Sequence, residues 1–204
     1  MEKTVIVLAS RNHNKVRELE ALLREQLGDT IELRSLDDVG LTNDIEETGR
    51  TFAENARIKA EAAAKSGFIG LGDDSGLVVP SLGMAPGVYS ARYAGKHGND
   101  RANNALLLHN LAGQADRSAA FVCALCAAFP DGRVIEAEGR VEGEILPEPR
   151  GDNGFGYDPL FCYPPFGKTM AEMTADEKNG VSHRGDAVRR FAALFAAARK
   201  EETC

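Results

Sequence analysis

No apolar run in this chain of 204 residues approaches the roughly 18 needed to cross a membrane. The early run Thr4-Val-Ile-Val-Leu-Ala9 is also shorter than a signal-peptide core of about 7–15 residues, and it passes directly into Arg11, Asn12 and Lys15. It reads as the first strand of a cytoplasmic protein with no membrane partner. Basic charge is short as well. A net charge of −7 and a pI near 5.2 leave no general basic face for nucleic acid, only room for a local basic pocket. Cysteine is scarce, at four. Cys123-Ala-Leu-Cys126 lacks a second Cys-x-x-Cys to complete a zinc site, and in a strand its two thiols point to opposite faces. Nor does the pair open a helix after a strand, as a thioredoxin-like site requires. Buried free thiols are the reading that remains. Internal repeats, low-complexity segments and linkers are missing too, so residues 1–204 are expected to form a single domain with a substantial core.

Among the residues that are present, Leu71-Gly-Asp-Asp-Ser-Gly-Leu77 carries the most charge in the most apolar setting. Phe68–Leu71 leads in and Leu77–Val79 leads out, which predicts a strand ending in a tight loop, with Gly72 and Gly76 permitting the turn. Asp73 and Asp74 place like charges side by side, an arrangement that repulsion disfavours unless a cation binds. Hard oxygen ligands suit Mg²⁺, which takes one or two carboxylates together with waters and substrate phosphates. The plainer alternative is an Asx-type surface turn.

Ahead of that stretch, Thr4–Ala9 is followed by Val16, Leu19, Leu22, Leu23 and Leu27 at three- and four-residue spacing, ending at Gly28. This is strand, loop, amphipathic helix. The loop Ser10-Arg11-Asn12-His13-Asn14-Lys15 ends where a helix begins, and free N–H groups with the helix dipole favour an anion there. The Walker A spacing is absent, and a simple polar cap is the alternative. Ile31–Leu36 is a second strand, and Thr51-Phe-Ala-Glu54 is a capping box opening an Ala-rich helix to Ser66-Gly67. Asn55 and Lys59 share one face of that helix, and Glu47 lies just ahead of it in a Gly-containing turn.

After the Asp-Asp stretch, Asp100 is expected to cap a helix running to Leu111, with Gly113 as its stop. Ala119–Phe129 and Val134–Ile145 flank Pro130-Asp-Gly132 as a long hairpin. The loop from Arg150 to Phe161 interleaves glycines and aromatics, a composition that lets a flat ring stack on Phe155 or Tyr157 while Asp158 reaches a ring edge; an Ω-loop packed on its own aromatics is the alternative. Lys168–Met173 is expected to begin a short helix. Ser182-His183-Arg184 sits at the N-terminus of a last helix whose apolar stripe includes Val188, Phe191 and Phe195.

Together these stretches resemble the inosine triphosphate pyrophosphatase family, enzymes that hydrolyse non-standard purine nucleoside triphosphates. The resemblance rests on Ser10-x-Asn12-x-x-Lys15, Glu47-Thr-Gly-x-Thr-Phe-x-Glu-Asn55, Asp73-Asp-Ser-Gly-Leu77, Gly154-Phe-Gly-Tyr-Asp-Pro159 and Ser182-His-Arg184, in that order. It implies a mixed α/β fold with a long twisted central sheet, flanking helices and two lobes around a cleft, usually as a homodimer. It further implies that Ser10, Arg11, Asn12, His13, Asn14 and Lys15 bind the triphosphate, and that Glu47 and Asp74 hold Mg²⁺. Asp74 would also take the attacking water's proton, and Ser75 would touch substrate. Phe155, Gly156, Tyr157, Asp158 and Lys178 would line the nucleotide pocket, and His183 and Arg184 would read the purine 6-keto edge. Arg11 and Asn14 stand where the family often has glycine. Two rivals remain: a phosphatase using an aspartyl-phosphate, for which the Asp-x-Asp-x-[Thr/Val] string after the first strand is missing, and a nucleotide-binding module without turnover.

Overall fold

In the computed structural model, which describes residues 3–201, β1 (Thr4–Leu8) leads into α1 (His13–Leu27), whose side chain at Asn12 caps the first turn and whose C-terminus closes on Gly28 at φ 59°. Glycine is required there because the left-handed region penalises any Cβ. β2 (Ile31–Ser35) follows, and then α2 (Phe52–Ala64), opened by the expected reciprocal bonds between Thr51 and Glu54. β3 spans Ile69–Val78 and α3 spans Asp100–Asn110. β4 (Ser118–Ala128) and β5 (Val134–Ile145) form the long pair, followed by the short β6 (Phe161–Tyr163) and β7 (Lys168–Thr169). α4 (Ala175–Val181) and α5 (His183–Glu201) complete the order. Among the described residues the strands make a seven-stranded sheet ordered β2-β1-β3-β4-β5-β6-β7. β1 is parallel to β2 and β3, whereas β6 is antiparallel to β5 and β7, so the sheet is mixed, as expected. No helix among the described residues is long and apolar enough to cross a membrane.

The chain divides into two compact units, each assembled from separate segments. The first takes the residues up to Asp74, Cys123–Gly139 and those from Arg184 on. Its main core packs Leu19 and Leu23 of α1 and Phe191 and Phe195 of α5 around Leu71 and Leu125. A smaller core sets Ala56 and Ala60 of α2 against Ala124 and Cys126 of β4. Cys123 belongs to the first core and Cys126 to the second, so strand alternation keeps the two thiols apart, and both are free. The second unit, Ser75–Val122 with Arg140–His183, has its core around Leu77, Leu107, Phe121, Phe161 and Met170.

Three sequence expectations change. Asp73-Asp-Ser-Gly76 lies inside β3 rather than in a loop. The flanking glycine does not serve a turn; a Cβ at Gly70 would overlap the Ala60 carbonyl oxygen, and one at Gly72 that of Ala56. Absence of a side chain lets α2 lie directly on the strand. Asn99, not Asp100, caps α3, its side chain accepting from the Ala102 N–H. Lys168–Met173 forms β7 and then a single tight turn at Met170–Glu172.

Because the atoms facing Gly72 are backbone, they have no rotamer with which to yield. Gly72→Ala is expected to lower the unfolding free energy by about 1–3 kcal/mol, read from urea denaturation. An unchanged midpoint would contradict this close seating of α2 on β3.

Candidate active site

β1 ends at Leu8, and its continuation bonds to β3 through Ala9 N–H and the Leu71 carbonyl. Beyond that bond lie the Ser10–Asn12 turn and the two aspartates of β3, at the carboxyl end of the parallel pair, where α/β sheets commonly take ligands. The turn is shaped by its own side chains. Ser10 Oγ accepts from Asn12 N–H at 3.2 Å, and Asn12 Oδ1 accepts from the N–H groups of Asn14 and Lys15 at 3.0 and 3.2 Å. Arg11 is a staple: its guanidinium meets Asp37 at 2.9 Å and the carbonyls of Leu41 and Thr42 at 3.0 and 2.9 Å. His13 is exposed at the helix start, and Asn14 Oδ1 accepts from Arg17 at 3.2 Å.

Neighbouring residues of a strand project to opposite faces, and this separates Asp73 from Asp74. Asp73 meets Lys15 Nζ of α1 at 2.9 Å, Arg184 Nε of α5 at 3.2 Å and the Cys123 thiol of β4 at 3.1 Å. Arg184 reaches on to Glu18 at 2.6 Å. Asp74 shares the face of Gly72 and meets α2, accepting from Asn55 Nδ2 at 3.0 Å with Lys59 Nζ at 3.4 Å. Lys59 Nζ also lies 2.7 Å from Glu47. Asp73 and Arg184 are each 1% exposed, and Asp74 and Lys59 only 6% and 7%. Charges this deep survive only with partners, because losing one partner of a buried pair costs about 3–5 kcal/mol.

The two carboxyls are driven in opposite directions. Burial raises both, but around Asp73 the charges of Arg184, Lys15 and Lys59 outweigh it and hold the acid well below the ordinary aspartate value. At Asp74 burial prevails over Lys59 and Lys15, with Glu47 adding repulsion, and the acid is raised. Lys59 is itself pulled down by burial and up by Asp74 and Glu47; the carboxylates win, and it stays charged. Burial and the adjacent Asp73 carboxylate push the Cys123 thiol far up, so it donates a hydrogen bond rather than acting as a nucleophile. Two acids pushed apart by their surroundings are the usual mark of a division of labour.

Glu47 and Asp74 both aim at one point, where Lys59 places its ammonium. That donor set fits a hard divalent cation. Among the described residues no group of three or more His, Cys, Asp or Glu side chains converges as a metal site, so an ion here would draw most ligands from water or phosphate, the habit of Mg²⁺.

The second unit holds a separate set. Phe155 is half-buried with Lys178 Nζ 5.1 Å from its ring centre. Asp158 Oδ2 accepts from Phe155 N–H at 2.9 Å and from Lys178 Nζ at 2.7 Å, so this carboxylate holds the loop closed. Gly154 passes so near Asp158 that any Cβ would collide with the carboxylate. Tyr157, considered beside Phe155 as a stacking surface, is instead 4% exposed with its hydroxyl donating to the Ser90 carbonyl at 2.9 Å. His183 stacks on Phe121, centroids 4.9 Å apart at 18°. Ser75 is partly buried in β3.

Sequence reading did not find Glu18 as a partner of Arg184, Cys123 as a donor to Asp73, or Lys59 as the cation between Glu47 and Asp74. For Lys59 a signal existed, its shared helix face with Asn55. Glu18 and Cys123 gave none, being 166 residues from Arg184 and 50 from Asp73 along the chain.

A model of the Ham1 family matches residues 6–194. The chain is 52% identical over 189 residues to a dITP/XTP pyrophosphatase of an Exiguobacterium species, covering 92% of this chain and 95% of that one. It is 47% identical over 194 residues to the dITP/XTP pyrophosphatase of Bacillus subtilis, covering 94% and 96%. A solved HAM1 protein from Coxiella burnetii superposes with a TM-score of 0.86 at 43% identity, covering 95% of this chain and 99% of that one.

The asymmetry between the carboxyls has a stability signature. Asp73, depressed in the folded state, stabilises fully above about pH 3.9, the unfolded aspartate value; its contribution shrinks as pH falls further and is gone once pH has passed the folded value. Asp74, raised in the folded state, gives no such gain at neutral pH. At pH 7, Asp73→Asn is therefore expected to cost about 3–5 kcal/mol and Asp74→Asn distinctly less, by urea denaturation. Equal losses, or a larger one for Asp74→Asn, would contradict the assignment.

Proposed function

The chain belongs to the Ham1 family, and on that premise we propose that it hydrolyses non-standard purine nucleoside triphosphates such as dITP, ITP and XTP to the monophosphate and pyrophosphate. It is a nucleoside triphosphate pyrophosphatase, acting in nucleotide metabolism. The observation that carries the mechanistic part is the contrast between Asp73 and Asp74.

The α-phosphorus is screened by negative oxygens, so attack by water needs positive charge on the phosphates and a base for the proton. Asp74 is the base, oriented by Asn55 Nδ2, and in the metal-free protein burial raises its proton affinity above that of an ordinary aspartate. Glu47 and Asp74 would hold Mg²⁺, which when bound would neutralise charge on the phosphate oxygens. Lys59 would then give up its place between the two carboxylates. Lys15, on the first turn of α1, is assigned to the phosphate chain with His13 and Asn14 of that turn and Ser10 and Asn12 of the segment before it, and Ser75 to a substrate contact. Arg11, bound to Asp37, Leu41 and Thr42, supports that turn from behind. Arg184, with Nε on Asp73 and Nη1 on Glu18, fixes Asp73 in place.

The base falls to Phe155 as stacking surface, with Gly156, Tyr157, Asp158 and Lys178 shaping its loop. His183, held by its stack on Phe121, is the reader of the 6-keto oxygen. A 6-amino group would set donor against donor, which excludes adenine. Guanine shares the 6-keto group, so these contacts alone do not exclude GTP. The free thiols are in keeping with work in the reducing cytoplasm on the nucleotide pool, and the family resemblance supports a homodimer. Because neither compact unit is contiguous in sequence, residues 1–204 are best regarded as one domain.

Product analysis by ³¹P NMR tests the reaction. ITP and XTP with Mg²⁺ should yield monophosphate and pyrophosphate, and ATP little of either; orthophosphate plus diphosphate would indicate a phosphatase, and intact ITP a binding module. Asp74→Asn should reduce kcat by at least about 10²–10⁴-fold with the fold retained, and near-normal turnover would remove Asp74 from the mechanism. His183→Ala should narrow the ITP to ATP ratio of kcat/KM; a constant ratio would refute the reader role.

A further inference from the structure

The loop that presents Phe155 is gripped by a helix that no motif pointed to. Asp100, the first residue of α3, accepts from Gly156 N–H through Oδ2 at 2.7 Å. Asn104, one turn later on the same helix face, donates through Nδ2 to the Gly156 carbonyl at 3.0 Å. These two bonds hold the peptide groups on either side of the Gly156 Cα, a residue in the left-handed region at φ 63°. The first of those peptide groups joins Phe155 to Gly156, and the N–H on the other side of Phe155 is held by Asp158. Both backbone flanks of Phe155 are therefore fixed: its N–H by its own loop, and the peptide that follows by α3 through the Gly156 N–H together with a 3.2 Å bond from the Asp158 N–H to the Phe155 carbonyl.

We propose that Asp100 and Asn104 are positioning residues for substrate specificity: α3 clamps Gly156 so that the Phe155 ring is already set to stack on a purine base before the nucleotide arrives. Preorganising a binding loop raises affinity by removing the ordering cost that binding would otherwise meet. The division of bonds favours this over general bracing. Residues beyond Gly156 have their own ties, with Tyr157 bonded to Ser90 and its carbonyl accepting from the Leu160 N–H. The α3 pair acts only on the peptides flanking Gly156. Asn104 Oδ1, moreover, is buried with no hydrogen-bond partner. That is a penalty an apolar side chain of similar size would not incur, and what the apolar residue lacks is the Nδ2 bond to the Gly156 carbonyl. Asp100 is free to reach Gly156 because Asn99 takes the capping role.

The inference rests on assigning the Phe155 loop to the base, and the test separates the two. Asn104→Leu, Asp100→Leu and Phe155→Ala are compared with wild type for KM and kcat with ITP, and for inhibition by inorganic tripolyphosphate, which has the phosphate chain and no base. The clamp predicts that Asn104→Leu raises KM for ITP about three- to tenfold, with kcat changed far less and tripolyphosphate inhibition unaltered. Asp100→Asn, which keeps an acceptor, should raise KM less than Asp100→Leu, and this comparison stands should Asn104→Leu fold poorly. A KM unmoved in Asn104→Leu and Asp100→Leu but raised in Phe155→Ala overturns the clamp alone. A KM unmoved in Phe155→Ala overturns the base assignment and the clamp with it. Equal loss of ITP and tripolyphosphate affinity would reduce α3 to a structural brace.

Discussion

The chemistry of the first unit depends on the two-residue period of β3. Because adjacent strand residues leave the backbone on opposite sides, Asp73 and Asp74 share a peptide bond and not an environment. One faces α1 and α5, where Lys15 and Arg184 neutralise it; the other faces α2, where burial and Glu47 work against its charge. A loop would have let both carboxylates turn toward one cation. Within a strand each is committed to a face, and the two proton affinities are shifted in opposite directions.

The same face that carries Asp74 carries Gly70 and Gly72, and the missing Cβ atoms bring α2 onto the strand. That close seating is what delivers Asn55 and Lys59 to Asp74. Packing and electrostatics are thus linked through one helix position. On the opposite face Leu71 joins the main core while Asp73, one pleat further, enters a cluster of charge closed by Arg184 and Glu18. A buried network of this kind is stabilising only when each member is satisfied, and this one also fixes where Lys15 and Asp73 stand.

Local patterns were legible in the sequence. The three- and four-residue spacing of α1, the Thr51–Glu54 cap of α2 and the Pro130-Asp-Gly132 turn between β4 and β5 each need only a few neighbouring residues, and each was read correctly. The Asp-Asp-Ser-Gly stretch predicts a loop because glycine beside aspartate is turn chemistry when nothing else is visible, yet it lies within β3. Its actual reason, contact with Ala56 and Ala60, belongs to tertiary packing. The pairings that define the site are equally remote: Arg184 lies 111 residues from Asp73, and Gly156 lies 56 from Asp100. Residue types such as Lys15, Glu47 and Asp74 were visible as motifs. Which of them touch, and which carboxyl has its proton affinity lowered, follows only from the fold.

One strand thus holds two neighbouring aspartates with proton affinities shifted in opposite directions. The most direct measurement of this is a ¹³C NMR titration of the side-chain carboxyls in the metal-free protein, with Asp73→Asn and Asp74→Asn used to assign the resonances. Asp73 is expected to titrate well below the ordinary aspartate value and Asp74 above it. Two carboxyls shifted in the same direction, or Asp73 above Asp74, would contradict this.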